Sequence, residues 1–187
     1  MSSDKLDLVK RAADFARQWH GGQRRPNKSQ EPKIDHIAEV AQLVTDAGGR
    51  DVEIAAAWLH DVVEDTAVTL VDVRETFGAD VAVLVDGLTD PPDFAALPLA
   101  QRKALQVQRL QKKPNGVKRV KIADQTSNVK SVLEDPPLDW DARKSLTYIV
   151  GAKQLADVCA GLSPYLDACF ANYYQAGLQK YEPQKDN

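Results

Sequence analysis

Apolar residues recur along most of the chain at the three- and four-residue spacing of an amphipathic α-helix. The segment Leu6–Trp19 shows the pattern clearly, with an apolar stripe through Leu8, Ala12 and Phe15, and the pair Gly21-Gly22 ends it. Polar turn residues, glycines and prolines separate the later segments. The pattern therefore predicts a series of helices joined by short connections.

The remaining predicted helices follow in chain order. They cover Asp35–Ala47 with Asp35 as the N-cap, Asp51–Asp65, Thr69–Phe77, Ala79–Leu88, Leu99–Lys112, Gly116–Leu133, Asp139–Ala160 and Ser163–Lys180. Gln23–Pro32 and Asp90–Pro98 are predicted loops. Sustained two-residue alternation with β-branched enrichment, which is typical of strands, is not found. We predict an all-α fold consisting of one helical bundle.

The size and charge of the chain narrow the function classes. Its 187 residues, 43% hydrophobic and 27% charged, suit one globular domain, predicted over residues 1–181, with a disordered polar tail at 182–187. A formal net charge of −3 does not favour a nucleic-acid partner. No apolar run approaches the ~20 residues that cross a bilayer, and the N-terminus is charged where a signal peptide would be apolar. We therefore expect a cytoplasmic protein without a membrane partner.

Four chemically active side chains interrupt an otherwise apolar predicted helix, AAAWLHDVVEDT. If this helix were continuous, His60, Asp61, Glu64 and Asp65 would share an arc of roughly 140° at about 100° per residue. Grouped carboxylates inside a protein need a compensating cation. An exposed acidic helix end would also account for this group of residues, but a bound divalent metal accounts for it better.

Two further segments place polar groups on buried faces. His36 lies on the apolar face of KIDHIAEVAQLV, and Asp124 lies in VKRVKIADQTSNVKSV, where Lys121, Asp124 and Asn128 form one polar stripe. Together with His60 and Asp61, these residues give two imidazoles and two carboxylates from three helices. Such a nitrogen and oxygen set suits Mn²⁺, Fe²⁺ or another divalent transition ion. The third histidine, His20, is interpreted as a packing residue.

With these residues the sequence resembles the HD-domain superfamily, and more narrowly the RelA/SpoT-type alarmone hydrolases in their small, stand-alone form. The resemblance rests on AADFARQWHGGQRR, EPKIDH, AAAWLHDVVEDT, TLVDVRETFGADVAVLVDGLTD and KIADQTSN. It implies removal of the 3′-pyrophosphate from (p)ppGpp, the alarmone of the stringent response, with one Mn²⁺ ion. It also implies metal ligands at His36, His60, Asp61 and Asp124, with Glu64 and Asp65 orienting or activating water.

The substrate is then expected to be a small nucleotide. Guanidinium and ammonium groups in the basic loop after the first helix would contact phosphates or stack on a base. The predicted substrate-binding residues from this loop, and from matching positions further along the chain, are Arg24, Arg25, Lys28, Lys121, Asn128 and Tyr148.

The sequence departs from the family pattern at Pro26, Lys33, Gln125 and Ser127. We expect all four to touch the nucleotide side of the pocket and none the metal side. Base preference therefore stays open, and adenosine alarmones or a 2′-phosphorylated nucleotide such as NADPH are alternative substrates. A nucleotide-sensing domain without catalysis and a general 5′-nucleotidase are weaker alternatives, since a sensor has no need of a water activator.

Overall fold

Helices form the framework of the chain throughout residues 3–182, the part that this computed structural model describes. In chain order they are α1 Ser3–His20, α2 Lys33–Asp46, α3 Asp51–Trp58, α4 Val62–Asp65, α5 Leu70–Phe77, α6 Ala79–Leu88, α7 Leu99–Gln111, α8 Asn115–Glu134, α9 Ala142–Cys159 and α10 Pro164–Tyr181. Within these residues the only β-type pairings are isolated bridges. The all-α prediction is confirmed, whereas 183–187 of the predicted tail lie outside the described residues.

Helix α8 runs through the centre of the bundle and contacts α2, α3, α6, α9 and α10. Its apolar side chains, among them Val117, Val120 and Val129, are fully buried. Helix α6 comes close to it at Gly87, where a Cβ atom would lie only 2.5 Å from a methyl carbon of Val117. Burial from several directions explains why α8 can hold polar residues in fixed positions.

Most predicted boundaries differ from the structure by only a few residues, and caps account for the differences. Thr69 and Asp141 each accept a hydrogen bond from a backbone N–H in the first turn of α5 and α9. Helix α2 starts earlier than predicted, at Lys33, because Pro32 takes the N-cap position that was predicted for Asp35. The predicted loop between α6 and α7 contains a short 3₁₀ helix, Pro92–Ala96.

One prediction about helix continuity is wrong. The segment Asp51–Asp65 is two helices, because Leu59 and Asp61 adopt φ near −100° with ψ near 0° (−107° and 4°, −101° and −4°) and open a turn between α3 and α4. Within this turn His60 Nδ1 donates to the carbonyl of Ala57 at 2.8 Å. The arc calculated for a continuous helix therefore does not apply.

Among the described residues, no helix combines the length and apolar character that crossing a membrane requires.

Candidate functional site

A cavity of about 600 Å³ opens between α2, the α3–α4 turn, α4, α7, α8, α9 and the loop after α1. This volume is in the range of sites for small molecules. Its walls carry six cationic side chains and five carboxylates: Arg24, Arg25, Lys33, Arg102, Lys103, Lys121, Asp61, Glu64, Asp65, Asp90 and Asp124. A cavity lined by this many charged groups of both signs favours a highly polar, charged ligand.

Three of the predicted metal-site residues converge beside this cavity, which His36 and Asp124 line. His36, His60 and Asp124 each place a ligand atom within 4.8 Å of the other two. Asp124 Oδ1 lies 3.6 Å from His36 Nε2 and 3.8 Å from His60 Nε2. All three side chains are buried, so two imidazoles and a carboxylate face one another out of bulk solvent.

The hydrogen bonds of both histidines leave Nε2 available to a metal. His60 Nδ1 donates to Ala57 O, and His36 Nδ1 contacts Ser127 Oγ at 2.8 Å. His60 Nε2 is buried and has no hydrogen-bond partner among the described residues, which is costly unless a cation accepts its lone pair. Burial also lowers the pKa of His36 well below its ordinary value. Two buried imidazoles whose hydrogen bonds are made through Nδ1 and leave Nε2 available fit a divalent metal site.

Asp61 joins this cluster from the α3–α4 turn. Its Oδ1 lies 3.2 Å from His60 Nε2, while its Oδ2 contacts Lys33 Nζ at 2.6 Å. Lys33 Nζ also contacts Asp65 Oδ2 at 2.7 Å. Burial by itself would raise the pKa of Asp61, but the neighbouring His60 and Lys33 hold that pKa well below the usual range. Asp61 therefore stays ionised beside the two histidines.

Asp124 is held by donors from its own helix. Its Oδ2 accepts from Lys121 at 3.2 Å and Gln125 at 2.9 Å, and its Oδ1 accepts from Asn128 at 2.5 Å. Arg25 in turn donates to Asn128 Oδ1 at 2.8 Å. Burial opposes ionisation of Asp124, yet Lys121 keeps its pKa below the usual range. The predicted polar stripe on α8 is therefore a connected network.

Glu64 lies on the cavity wall, four residues after His60 in the chain. Its side chain faces the solvent of the cavity, yet the enclosing protein raises its pKa to about 7, against a hydrogen bond that it accepts from the backbone N–H of Asp90. A carboxylate with a pKa near neutrality can both accept and release a proton. Its position in the same cavity as the candidate metal ligands Asp61 and Asp124 suits a general base.

The predicted substrate-binding residues mostly reach the cavity. Arg24, Arg25, Lys121, Asn128 and Tyr148 line it. Lys28 is exposed, and the described lining of the cavity does not include it. The reason is local: Ser29 N donates to Asp135 Oδ2 at 3.0 Å, and this bond turns the tip of the loop toward the end of α8.

The four departures from the family pattern correct an expectation. Lys33 contacts Asp61, Gln125 contacts Asp124, and Ser127 contacts His36. These three residues therefore contact candidate metal ligands, contrary to what was expected. Pro26 does line the cavity, and its carbonyl accepts from the backbone N–H of Leu138.

Sequence reasoning missed a buried lysine. Lys103 on α7 donates to Gln125 Oε1 at 2.7 Å and lies 4.1 Å from the ring centroid of Tyr148. Burial lowers its pKa to about 7. A signal was present, because Lys103 lies four residues from both Leu99 and Val107 on an apolar face. Glu39 and Asp90, which contact Ser127 and Glu64, gave no comparable signal.

Comparison with known proteins gives a consistent picture. The HD-domain family profile matches residues 12–149. The human guanosine-3′,5′-bis(diphosphate) 3′-pyrophosphohydrolase MESH1 is 36% identical over 181 residues, which cover 95% of this chain and 99% of the human protein. The mouse protein of the same name is 34% identical over 177 residues, 94% of this chain and 97% of its own length.

A solved structure is similar over nearly the whole fold. It is described as a metazoan orthologue of SpoT that hydrolyses ppGpp and plays a role in starvation responses. The two chains superpose with a TM-score of 0.82 at 28% identity, covering 94% of this chain and 96% of the other.

Proposed function

The chain belongs to the HD-domain family, and we propose that it is a metal-dependent hydrolase that removes the 3′-pyrophosphate from (p)ppGpp-type alarmones, giving GDP or GTP and pyrophosphate. The observation that carries this proposal is the convergence of His36, His60 and Asp124 beside a cavity lined with cationic groups. A small nucleotide of high negative charge suits that cavity. We also propose that the protein is located in the cytoplasm, where such nucleotides are found.

Four residues would hold one divalent cation, and we propose Mn²⁺. They are His36, His60 and Asp124 together with Asp61, whose Oδ1 lies beside His60 Nε2. Two nitrogens and two carboxylate oxygens suit Mn²⁺ better than a thiolate-binding metal. When bound, such a cation neutralises developing phosphoryl charge and makes water more acidic.

The two carboxylates of α4 would orient and deprotonate the attacking water. The oxygen of this water bonds to the phosphorus attached to O3′ and the P–O3′ bond breaks. O3′ then takes a proton from solvent and leaves as a hydroxyl, and the OH group of the water stays on the released pyrophosphate. Glu64, with its pKa raised to about 7, would accept the proton of the water. Asp65, held by Lys33, would orient it. A domain that only senses nucleotides has no use for this arrangement.

The cationic part of the cavity would bind the phosphates. Arg24, Arg25 and Lys121 supply positive charge along the wall, while Asn128 and Tyr148 border the same space. Arg25 is oriented by Asn128, which also holds Asp124. Substrate binding and the metal site are therefore linked through one amide side chain.

A substrate panel tests the proposal. With Mn²⁺ present, the protein is given ppGpp, pppGpp, ppApp, NADPH and 5′-nucleotides, and released pyrophosphate and phosphate are measured separately. We expect pyrophosphate from the guanosine alarmones. Preferential turnover of ppApp, or phosphate release from NADPH, would reassign the substrate, and tight binding without turnover would indicate a sensor.

Variants tie the activity to the site. We expect Asp61→Ala and Asp124→Ala to lose both turnover and retained metal. Asp80→Ala, which removes an exposed carboxylate at the start of α6, is the matched control and should behave as the wild type. Turnover at the wild-type rate in Asp124→Ala would refute the site assignment.

A further inference from the structure

A line of polar contacts leads from His36 through Ser127 and Glu39 to Lys130. These last three residues are not part of the described lining of the main cavity. His36 Nδ1 lies 2.8 Å from Ser127 Oγ, and Ser127 Oγ lies 2.5 Å from Glu39 Oε2. Glu39 Oε1 contacts Lys130 Nζ at 2.5 Å. Ser127 is buried, while the Glu39 side chain is 32% exposed and borders a second cavity of about 250 Å³.

The direction of these hydrogen bonds follows from what each group can donate. A carboxylate only accepts, so the single hydroxyl hydrogen of Ser127 points to Glu39. Ser127 Oγ then accepts from His36 Nδ1–H. With the proton on Nδ1, the lone pair of His36 is on Nε2, the atom that faces Asp124 Oδ1 at 3.6 Å. The line of contacts therefore selects the form of His36 that can bind a cation.

We propose that Glu39 and Ser127 are positioning residues that orient His36 and strengthen its binding to the metal, an inference that rests on the proposed metal function. Ser127 fixes the ring, and the negative charge of Glu39, transmitted through the hydroxyl, makes Nε2 a better electron donor. Partners of this kind around a metal-binding histidine typically change metal affinity by about 10- to 100-fold.

The second histidine shows why this support is specific to His36. His60 Nδ1 donates to a backbone carbonyl, Ala57 O, which no side-chain substitution removes. His36 depends instead on two side chains from different helices, Glu39 on α2 and Ser127 on α8. The affinity of the site for metal can therefore be changed at residues that touch neither the metal nor the substrate.

Lys130 provides a matched control within the same group. It contacts the other carboxylate oxygen of Glu39, so Lys130→Met removes the ion pair between α8 and α2 and leaves the Ser127–Glu39 bond in place. If these residues only tie the two helices together, Lys130→Met and Glu39→Ala should have the same effect. If they position His36, only the loss of Glu39 or Ser127 should change metal binding.

The test measures the dissociation constant for Mn²⁺ directly, by competition with a chelating indicator, on the whole protein. We expect Ser127→Ala and Glu39→Ala to raise this constant about tenfold or more, Glu39→Gln and Ser127→Cys to give intermediate values, and Lys130→Met to stay within about twofold of the wild type. At saturating Mn²⁺ the KM for ppGpp should be unchanged, because the main cavity, as lined by the described residues, includes neither Glu39 nor Ser127.

Two results separate the possible failures. If the wild type binds no Mn²⁺, the proposed metal function fails. If the wild type binds Mn²⁺ and the folded Ser127→Ala and Glu39→Gln variants bind it equally well, the positioning role alone is refuted. Thermal unfolding of the metal-free variants checks that each is folded, and Glu39→Gln keeps the test decisive if Ser127→Ala does not fold, because Glu39 is partly exposed.

Discussion

Lys33 Nζ bridges Asp61 and Asp65, lying 2.6 Å from Asp61 Oδ2 and 2.7 Å from Asp65 Oδ2. One lysine thus pairs with two carboxylates at the edge of the proposed metal site and occupies one oxygen of a proposed ligand. Removing its charge should help a divalent cation to bind, because repulsion and competition for Asp61 both disappear. It should also weaken binding of an anionic substrate.

We therefore expect Lys33→Met to bind Mn²⁺ several-fold more tightly than the wild type and to show a higher KM for ppGpp. Without metal its Tm should be lower, because Asp61 and Asp65 then repel each other, and Mn²⁺ should raise the Tm by more than in the wild type. Lys10→Met, which breaks the exposed Lys10–Asp14 pair, is the control. Weaker Mn²⁺ binding in Lys33→Met would contradict this account.

The pH dependence of turnover should reflect Glu64. Because its pKa is raised to about 7, protonation on the acid side removes the general base. With Mn²⁺ present, kcat/KM, which reports the pKa values of the enzyme without substrate, should fall as the pH drops through about 7 and level off above it. Glu64→Gln should retain metal, lose about 10²- to 10⁴-fold in rate and lack this acid limb. An unchanged acid limb in Glu64→Gln would assign the titration to another group, and Glu75→Gln serves as the exposed control.

Lys103 should make stability depend on pH in a defined direction. Burial lowers its pKa from 10.5 to about 7, so the folded state binds fewer protons than the unfolded chain between those values. The penalty for burying this lysine is complete below about pH 7 and disappears as the pH rises above 10.5. Lys103→Met should therefore raise the Tm relative to the wild type more at pH 6 than at pH 10.

The same variant should raise the KM for ppGpp, because the cavity loses an amino group that can donate to phosphate, and Gln125 loses its partner. Lys112→Met removes an exposed lysine one residue beyond α7 and should show neither effect. A Tm difference that stays constant with pH would mean that Lys103 is not held in an environment that disfavours its charge.

Glu53 allows the stability of the bundle to be separated from the site. This buried carboxylate accepts from Arg119 Nη1 at 2.6 Å and pairs with Arg50. A hydrogen bond from the backbone N–H of Arg50, together with the bond from Arg119, lowers the pKa of Glu53 despite burial. Its contribution to stability is therefore present at neutral pH and lost in acid. Glu53→Ala should reduce the free energy of unfolding by about 3 kcal/mol, because Arg119 loses its carboxylate partner.

Urea denaturation measures this loss, and the Mn²⁺ affinity of the folded variant should be unchanged. The pair of Asp86, which is exposed, and Lys113, which is partly exposed, is the comparison; its charged atoms lie 3.8 Å apart. Breaking it with Asp86→Ala should cost less than about 1 kcal/mol. Equal losses in the two variants would show that burial adds nothing to the Glu53 pair.

Local rules determined much of this protein from sequence alone. Helical periodicity and turn residues predicted the all-α fold and nearly every helix, because each helix buries one apolar stripe and each break follows from glycine, proline or a polar cap. The same reasoning identified His36, His60 and Asp124, because polar groups on buried faces need partners. These conclusions depend on neighbours within a few residues.

Contacts between distant segments were decided only by the tertiary structure. The turn at His60 and Asp61, the ion pairs of Lys33, and the bonds of Gln125 with Lys103 and of Ser127 with Glu39 depend on how helices lie against one another. Periodicity gives the face on which a residue lies but not which residue on another helix it meets. The sequence by itself thus determined nearly every helix and the residues proposed to bind a metal, and the packing of those helices decided which side chains hold these residues in place.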